Sequence, residues 1–202
     1  MEMRLTIATL VLMIFQLTDV PAQNTTNNNL FIDVHMLRPG SVTAADVAAA
    51  HAKDLAVQAK YGVSFKQYWV DEKNGTVYCL SSAPDSAHIA AAHNEAHGLL
   101  PQQVYQVLGG KPAASAPRLP YFIDIHNAGA GNVTATAVAS AHEKDIAVQK
   151  RYGVHFINYW VCEEKGWVFC LSQANDPERI FNTHKAAHGL LPAVIIPVVQ
   201  GK

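Results

Sequence analysis

Two histidines four positions apart, His93 and His97, stand in the run His-Asn-Glu-Ala-His-Gly-Leu-Leu-Pro at 93–101. The run returns as His-Lys-Ala-Ala-His-Gly-Leu-Leu-Pro at 184–192, with His184 and His188 in the same places. Residues four apart on a helix lie one above the other, so both imidazoles of a pair can face one point and chelate a metal ion. Gly98 with Pro101, and Gly189 with Pro192, end the helix just behind each pair. One such pair is ordinary on an exposed helix; its recurrence at a fixed spacing is what asks for an explanation.

The spacing is general. Residues 30–111 slide onto 121–202 without a gap, a shift of 91 positions, and roughly half the positions are identical. Two copies of this length are a doubled domain and not a solenoid. The duplication also filters the polar residues. Of ten histidines, eight form four matched pairs: His35 with His126, His51 with His142, His93 with His184, His97 with His188. Asp33/Asp124, Asp54/Asp145 and Gln58/Gln149 are kept beside them, whereas exposed positions have drifted, as Ala52/Glu143 and Asn94/Lys185 have. The matched histidines and aspartates are therefore the candidate metal ligands: His93, His97, His51, Asp54, His35 and Asp33, and in the second copy His184, His188, His142, Asp145, His126 and Asp124. No catalytic residue is singled out, and no phosphate-binding glycine loop, nucleophile elbow or His-Glu-x-x-His is present.

The elements that must carry these residues follow from periodicity. In the first copy Leu30 to Met36 alternates as a strand, Thr43 caps a helix running to about Lys60, and Phe65–Asp71 and Thr76–Ser81 are strands joined at Lys73-Asn74-Gly75. Pro84–His97 reads as the second helix and Gln103–Leu108 as the last strand. The order βαββαβ predicts an α+β fold, two tandem ferredoxin-like units, 30–111 and 121–202, joined by the Pro- and Ala-containing linker 112–120. Each unit leaves one sheet face bare. The two together form an intramolecular pseudo-dimer of the dimeric α/β-barrel type, burying Trp69, Trp160, Tyr78 and Phe169. On the first helix Val47, His51, Asp54 and Gln58 fall within about 60° of one another, which turns His51 and Asp54 towards the buried arc, where Asp54 serves as ligand, as support for a ligand, or as a tie between helices. Asp33 and His35 alternate with Ile32 and Val34 and are expected on the face opposite the aliphatic one, in the space between the two half-sheets.

The chain opens with Met1-Glu2-Met3-Arg4, an apolar run Leu5–Leu17 of about 13 residues, and Thr18 to Gln23. The run is too short for a bilayer, and Val20 and Ala22 fit a signal-peptidase site, so a signal peptide 1–22 and a periplasmic or secreted location are expected. Losing Arg4, Glu2 and Asp19 changes 15 basic against 16 acidic residues into 14 against 14. That balance gives no basic patch for nucleic acid and no reason to bind a membrane after cleavage. Three cysteines make no disulfide scaffold: Cys79 and Cys170 read as core, and Cys162 and Cys170 are not paired neighbours across their hairpin. The sequons at Asn24, Asn74 and Asn132 matter only in a glycosylating host.

The run Tyr68-Trp69-Val70, then Gly75, Val77, Cys79-Leu80-Ser81, Ala83, Asp85 and the closing His93–Pro101 resembles small ferredoxin-like bacterial domains of a formerly uncharacterised family known for a nickel-binding member. The resemblance covers both repeats, about 160 of 202 residues. It implies a dimer-forming, nickel-binding domain; the tandem copies and the signal segment depart from the single-domain pattern and leave a further homo-oligomer open. Imidazole and carboxylate donors alone suit nickel, zinc, cobalt or copper, and the resemblance favours nickel. Two functions fit. One is an exported protein that sequesters or buffers a transition metal. The other is an oxygenase- or isomerase-type enzyme that uses the space between the half-sheets, with Asp33 and His35 as an acid-base pair.

Overall fold

The structure, a computed structural model, describes residues 29–202; the signal segment and the sequon at Asn24 lie outside them. The first repeat runs β1 (Asn29–Met36), α1 (Ala44–Val57), a 3-10 turn (Gln58–Tyr61), β2 (Ser64–Asp71), β3 (Thr76–Ala83), α2 (Ser86–Ala96) and β4 (Gln103–Gly109). The second repeats the order as β5 (Tyr121–Asn127), α3 (Ala135–Tyr152), β6 (His155–Cys162), β7 (Trp167–Gln173), α4 (Pro177–Ala187) and β8 (Val194–Gly201).

Local chemistry accounts for the helix ends. Thr43 caps α1: its hydroxyl accepts from the Asp46 amide at 3.2 Å while the Asp46 carboxylate accepts from the Thr43 amide at 2.9 Å. Thr134 repeats the cap on α3, but Ala137 stands where Asp46 would, so only half of the reciprocal pair remains. Asp85 and Asp176 cap α2 and α4. The matched glutamines tie helix to strand, since Gln58 Oε1 accepts from Phe65 N–H at 2.9 Å and Gln149 Oε1 from Phe156 N–H at 2.8 Å. Both second helices stop one residue short of the expected end, leaving His97 and His188 as C-caps whose backbone is no longer helical.

Within each repeat the strands are antiparallel, and the two sheets join edge to edge in the closed order β1-β3-β2-β8-β5-β7-β6-β4. The joints are short: β2 pairs β8 from Tyr68/Gly201 to Val70/Val199, and β4 pairs β6 at Leu108/Val161 and Gly109/Trp160. Closure removes every sheet edge. The interior is filled by Ile32, Val34, Trp69, Tyr78, Trp160, Phe169 and their neighbours, with the two tryptophan rings 5.0 Å apart. Four smaller clusters lie outside the barrel, between sheet and helices. At each joint a glycine passes under a tyrosine: a Cβ on Gly201 would collide with the ring of Tyr68, and one on Gly110 with that of Tyr159.

The segment between the repeats is strapped to the second one. Ala113 N–H donates to Ile157 O at 2.7 Å, and the buried Gln173 amide holds Ala116 through both its backbone groups and Leu119 through its carbonyl. Cys162 faces Trp167 and Cys170 faces Tyr159, and all three cysteines are free, as the hairpin register predicted.

The side on which Asp33 and His35 stand differs from expectation. Ile32 and Val34 belong to the barrel interior, so the alternate residues Phe31, Asp33 and His35 turn outward to the helices. The aliphatic face of β1 is the one that meets the other sheet, where Ile32 and Val34 share one apolar cluster with Trp69, Tyr78, Trp160 and Phe169. The acid-base pair expected between the half-sheets therefore has no place there.

Candidate metal centre

In each repeat a line of alternating imidazoles and carboxylates crosses the layer between sheet and helices. From β1, His35 Nε2 lies 3.1 Å from Asp33 Oδ1; from α2, His93 Nε2 lies 3.5 Å from the same oxygen. The other nitrogen of His93, Nδ1, lies 2.9 Å from Asp54 Oδ1 on α1, and His97 Nε2 lies 3.2 Å from that atom. The second repeat has the same line: His126 at 3.0 Å and His184 Nε2 at 3.3 Å from Asp124, then His184 Nδ1 at 3.0 Å and His188 at 3.1 Å from Asp145. Asp33, Asp124, His93 and His184 are essentially sealed from solvent, at 0% to 1% exposure.

Ten of the twelve sequence candidates thus come together, five in each half. His51 and His142 do not join them. Each lies instead against an aromatic ring, Tyr68 or Tyr159, at 4.9 Å between centroids, and burial lowers the pKa of both. Sequence reasoning took Cys79 and Cys170 for plain core residues; both in fact lie on the site. Cys79 is the direct cross-strand partner of Asp33, and Cys170 of Asp124, so each thiol stands beside that carboxylate. Burial and the neighbouring carboxylate push both thiols well above their ordinary range, so they sit there as thiols. Part of the signal was available, since Asp33 and Cys79 are both matched across the 91-residue shift, but their pairing between β1 and β3 is not set by a hairpin.

The protonation pattern follows from the carboxylates. Burial alone would lower the pKa of His93, but hydrogen bonds and charge attraction from Asp33 and Asp54 outweigh it and raise it to about 9; His184 is raised to about 10 by Asp124 and Asp145. Against the cost of burial, the histidines hold Asp33 and Asp54 below the usual carboxylate range and Asp124 at about 2. One imidazolium between two carboxylates is the cation of each site.

Two clusters of donors can be told apart in each half: Asp33, His35 and Cys79 beside Asp54, His93 and His97 in the first, and Asp124, His126 and His184 beside Asp145, His184 and His188 in the second. His184 belongs to both of its clusters, and His93 turns its other nitrogen to Asp33 at 3.5 Å. The clusters differ in how well their atoms are satisfied. In the outer cluster His97 Nδ1 accepts from Leu99 N–H at 3.1 Å, which leaves the proton of the neutral ring on Nε2, facing Asp54. The same bond, Leu190 N–H to His188 Nδ1, recurs at 3.1 Å. In the inner cluster both oxygens of Asp33 and His93 Nε2 are buried without a well-aligned hydrogen bond, as are Asp124 Oδ2 and His184 Nε2. Buried polar atoms without a hydrogen bond are costly and rare, and here they converge at matched places in two repeats. A divalent cation fits that donor set: two imidazole nitrogens and a carboxylate, with Asp54 receiving the Nδ1–H of His93 on the far side, the arrangement that commonly orients a metal-bound histidine.

A family model described as nickel responsive protein SCO4226-like matches the chain twice, over residues 31–107 and 122–198. The chain belongs to this family. Both matches coincide with the repeats, so this member is a tandem form in one polypeptide. Among solved structures it is similar to SCO4226 from Streptomyces coelicolor A3(2), at 34% identity over 43% of this chain and 99% of that one, with a TM-score of 0.37. It is similar also to a mutant chlorite dismutase from Candidatus Nitrospira defluvii, at 9% identity over 87% of this chain and 91% of that one, with a TM-score of 0.50, a likeness of fold alone. Among curated proteins none matches. Family membership and the clustered donors together make a transition metal the ligand class of this site.

Proposed function

We propose that the chain is an exported protein that binds nickel, one centre in each repeat, and so sequesters or buffers the ion outside the cytoplasm. The observation that carries the reading is the set of buried atoms left without a hydrogen bond, both oxygens of Asp33 with His93 Nε2 and Asp124 Oδ2 with His184 Nε2, at matched positions of the two repeats. Asp33, His35 and His93 hold the first ion; Asp124, His126 and His184 hold the second. Asp54 with His97, and Asp145 with His188, fix the rings of His93 and His184 from behind. Nickel is preferred over zinc, cobalt and copper on the description of the family, since the donors suit all four. Bound there, the ion supplies a fixed positive charge in place of the imidazole proton. Export rests on the apolar run Leu5–Leu17 and the Val20-Pro21-Ala22 context. Among the described residues no helix is long and apolar enough to cross a membrane.

Elemental analysis of the untagged mature protein, followed by calorimetric titration of nickel and zinc, tests this. His35→Ala and Asp33→Asn remove donors and abolish the first-half site. His97→Ala removes only support and weakens it by about 10- to 100-fold. His88→Ala, on an exposed residue without a counterpart in the second repeat, changes nothing. Equal nickel affinity in wild type and all of these variants would leave the polar line as a purely structural tie.

A further inference from the structure

The two halves share their donors but not the space in front of them. Beside the first site lies a cavity of about 100 Å³, reaching His35, His93 and His97; beside the second lies one of about 410 Å³, reaching His126, His184 and His188. Three matched positions lose bulk in the second half. Leu37, which fills the first cavity, is Ala128 in the second; Asp46 is Ala137. Gln102 is Ala193: in the first half the Gln102 side chain accepts from Met36 N–H at 2.5 Å and donates to Leu100 O at 3.3 Å, clamping the His-Gly-Leu-Leu-Pro loop to the end of β1. The backbone bond beneath that clamp is kept, Gln102 N–H to Val34 O at 2.9 Å and Ala193 N–H to Ile125 O at 2.8 Å, so the strand is equally placed and only the side chain is gone.

All three changes remove bulk on one side, in front of an unchanged set of imidazoles. The larger cavity keeps the apolar wall of the first, with Val133, Val138, Val168 and Leu190 where Val42, Val47, Val77 and Leu99 stand, adds Leu191, Asn127 and Asn132 to the lining, and has the imidazoles at its floor. A bare hydrated ion has no use for such a wall, and a purely apolar ligand has no use for the floor. A metal held by three protein donors keeps coordination positions for outside ligands. We infer that the second half binds its ion together with a small organic chelator of the α-amino acid type, whose amine and carboxylate meet the metal and whose apolar side chain fills the cavity, whereas the first half binds the ion alone. This rests on the metal reading of the site, and it adds a ligand class and a division of labour between the repeats.

The test uses the untagged, nickel-loaded full-length chain, with L-phenylalanine as probe and glycine as the control that has the head without the body. L-Phenylalanine is expected to co-elute with the protein at one per chain, to change the nickel ligand-field spectrum, and to tighten the weaker-retained half of the nickel by about tenfold; glycine does none of these. Ala128→Leu, which installs the residue of the first repeat, should keep the nickel and lose the phenylalanine. Leu37→Ala should allow a second phenylalanine to bind. If both halves retain nickel while phenylalanine neither co-elutes nor alters the spectrum, or if it merely strips the metal, the inference is overturned and the metal reading stands. If untagged protein takes up no nickel in either half, the metal reading itself falls. Retention of phenylalanine by Ala128→Leu would equally overturn the assignment of this cavity.

Discussion

At the scale of single residues, the proton on His93 is the point of control. An ion that takes Nε2 of this ring must displace the extra proton held between Asp33 and Asp54, so nickel affinity rises with pH, about tenfold per unit, up to about pH 9. Titrations at several pH values check this; an affinity that levels off near 6.5, the ordinary histidine value, would mean that His93 carries no such proton. Without metal the linkage has the opposite consequence. The folded-state pKa values of His93 and His184 are raised, so their contribution to stability is complete below about 6.5 and is lost as pH climbs to about 9 and about 10. Asp33, Asp54 and Asp124 are depressed, so theirs is present above about 4 and lost below it, for Asp124 down to about 2. Metal-free protein should be most stable between about pH 4 and 6.5, and denaturant midpoints across that range and above it will show whether the decline at alkaline pH occurs. All ten histidines and aspartates of the two lines were among the twelve residues that the 91-residue shift marked, because position alone marked them. His51 could not be separated from them, since a buried arc on a helix does not say whether the next layer holds a carboxylate or the ring of Tyr68.

At the scale of elements, the helices and strands were legible from caps and alternation, while the facing of β1 was not. Both of its sides are buried, with Phe31 outside and Ile32 inside, so alternation identifies two faces and leaves their assignment to the packing of the other sheet. The helix caps differ in strength in a way that can be measured. Asp46→Ala converts the reciprocal cap of α1 into the simpler one of α3 and is expected to lower the urea midpoint at constant m. Trp69 is fully buried at the middle of the barrel, against Trp160 and with its indole N–H donating to Gln200 Oε1 at 3.0 Å from the other repeat. Trp69→Ala should cost about 3–5 kcal/mol, the range for truncating a large core aromatic, with the loss shared by both repeats in a single transition. Two separate transitions in calorimetry would show that the repeats fold independently.

At the scale of the whole molecule, the duplication and its linker were visible in the sequence as a gapless shift with nine residues left over, and a pseudo-dimer followed because each sheet had a bare face. The closed ring of eight strands depended on two short joints, one pairing residues about 130 apart and the other about 50 apart, and neither carries a local signature. Their strength can be probed by cutting the connection. Arg118 is exposed and lies in the leader to β5, with a backbone φ of 68°. Limited trypsin cleavage there should leave a nicked protein that still elutes as one particle, since the shared interior and both joints survive; elution at half the size would show that the covalent link holds the repeats together.

The pseudo-twofold arrangement also makes the position of the chain ends arbitrary. β8 relates to β1 as β4 relates to β5, because the end of each repeat closes on the second strand of the other, under Tyr68 or Tyr159. A copy of the strap 110–120 joining residue 202 to residue 29, with the original strap opened, would therefore give a circularly permuted chain with the same eight-stranded ring, in which the two sites exchange their order along the polypeptide.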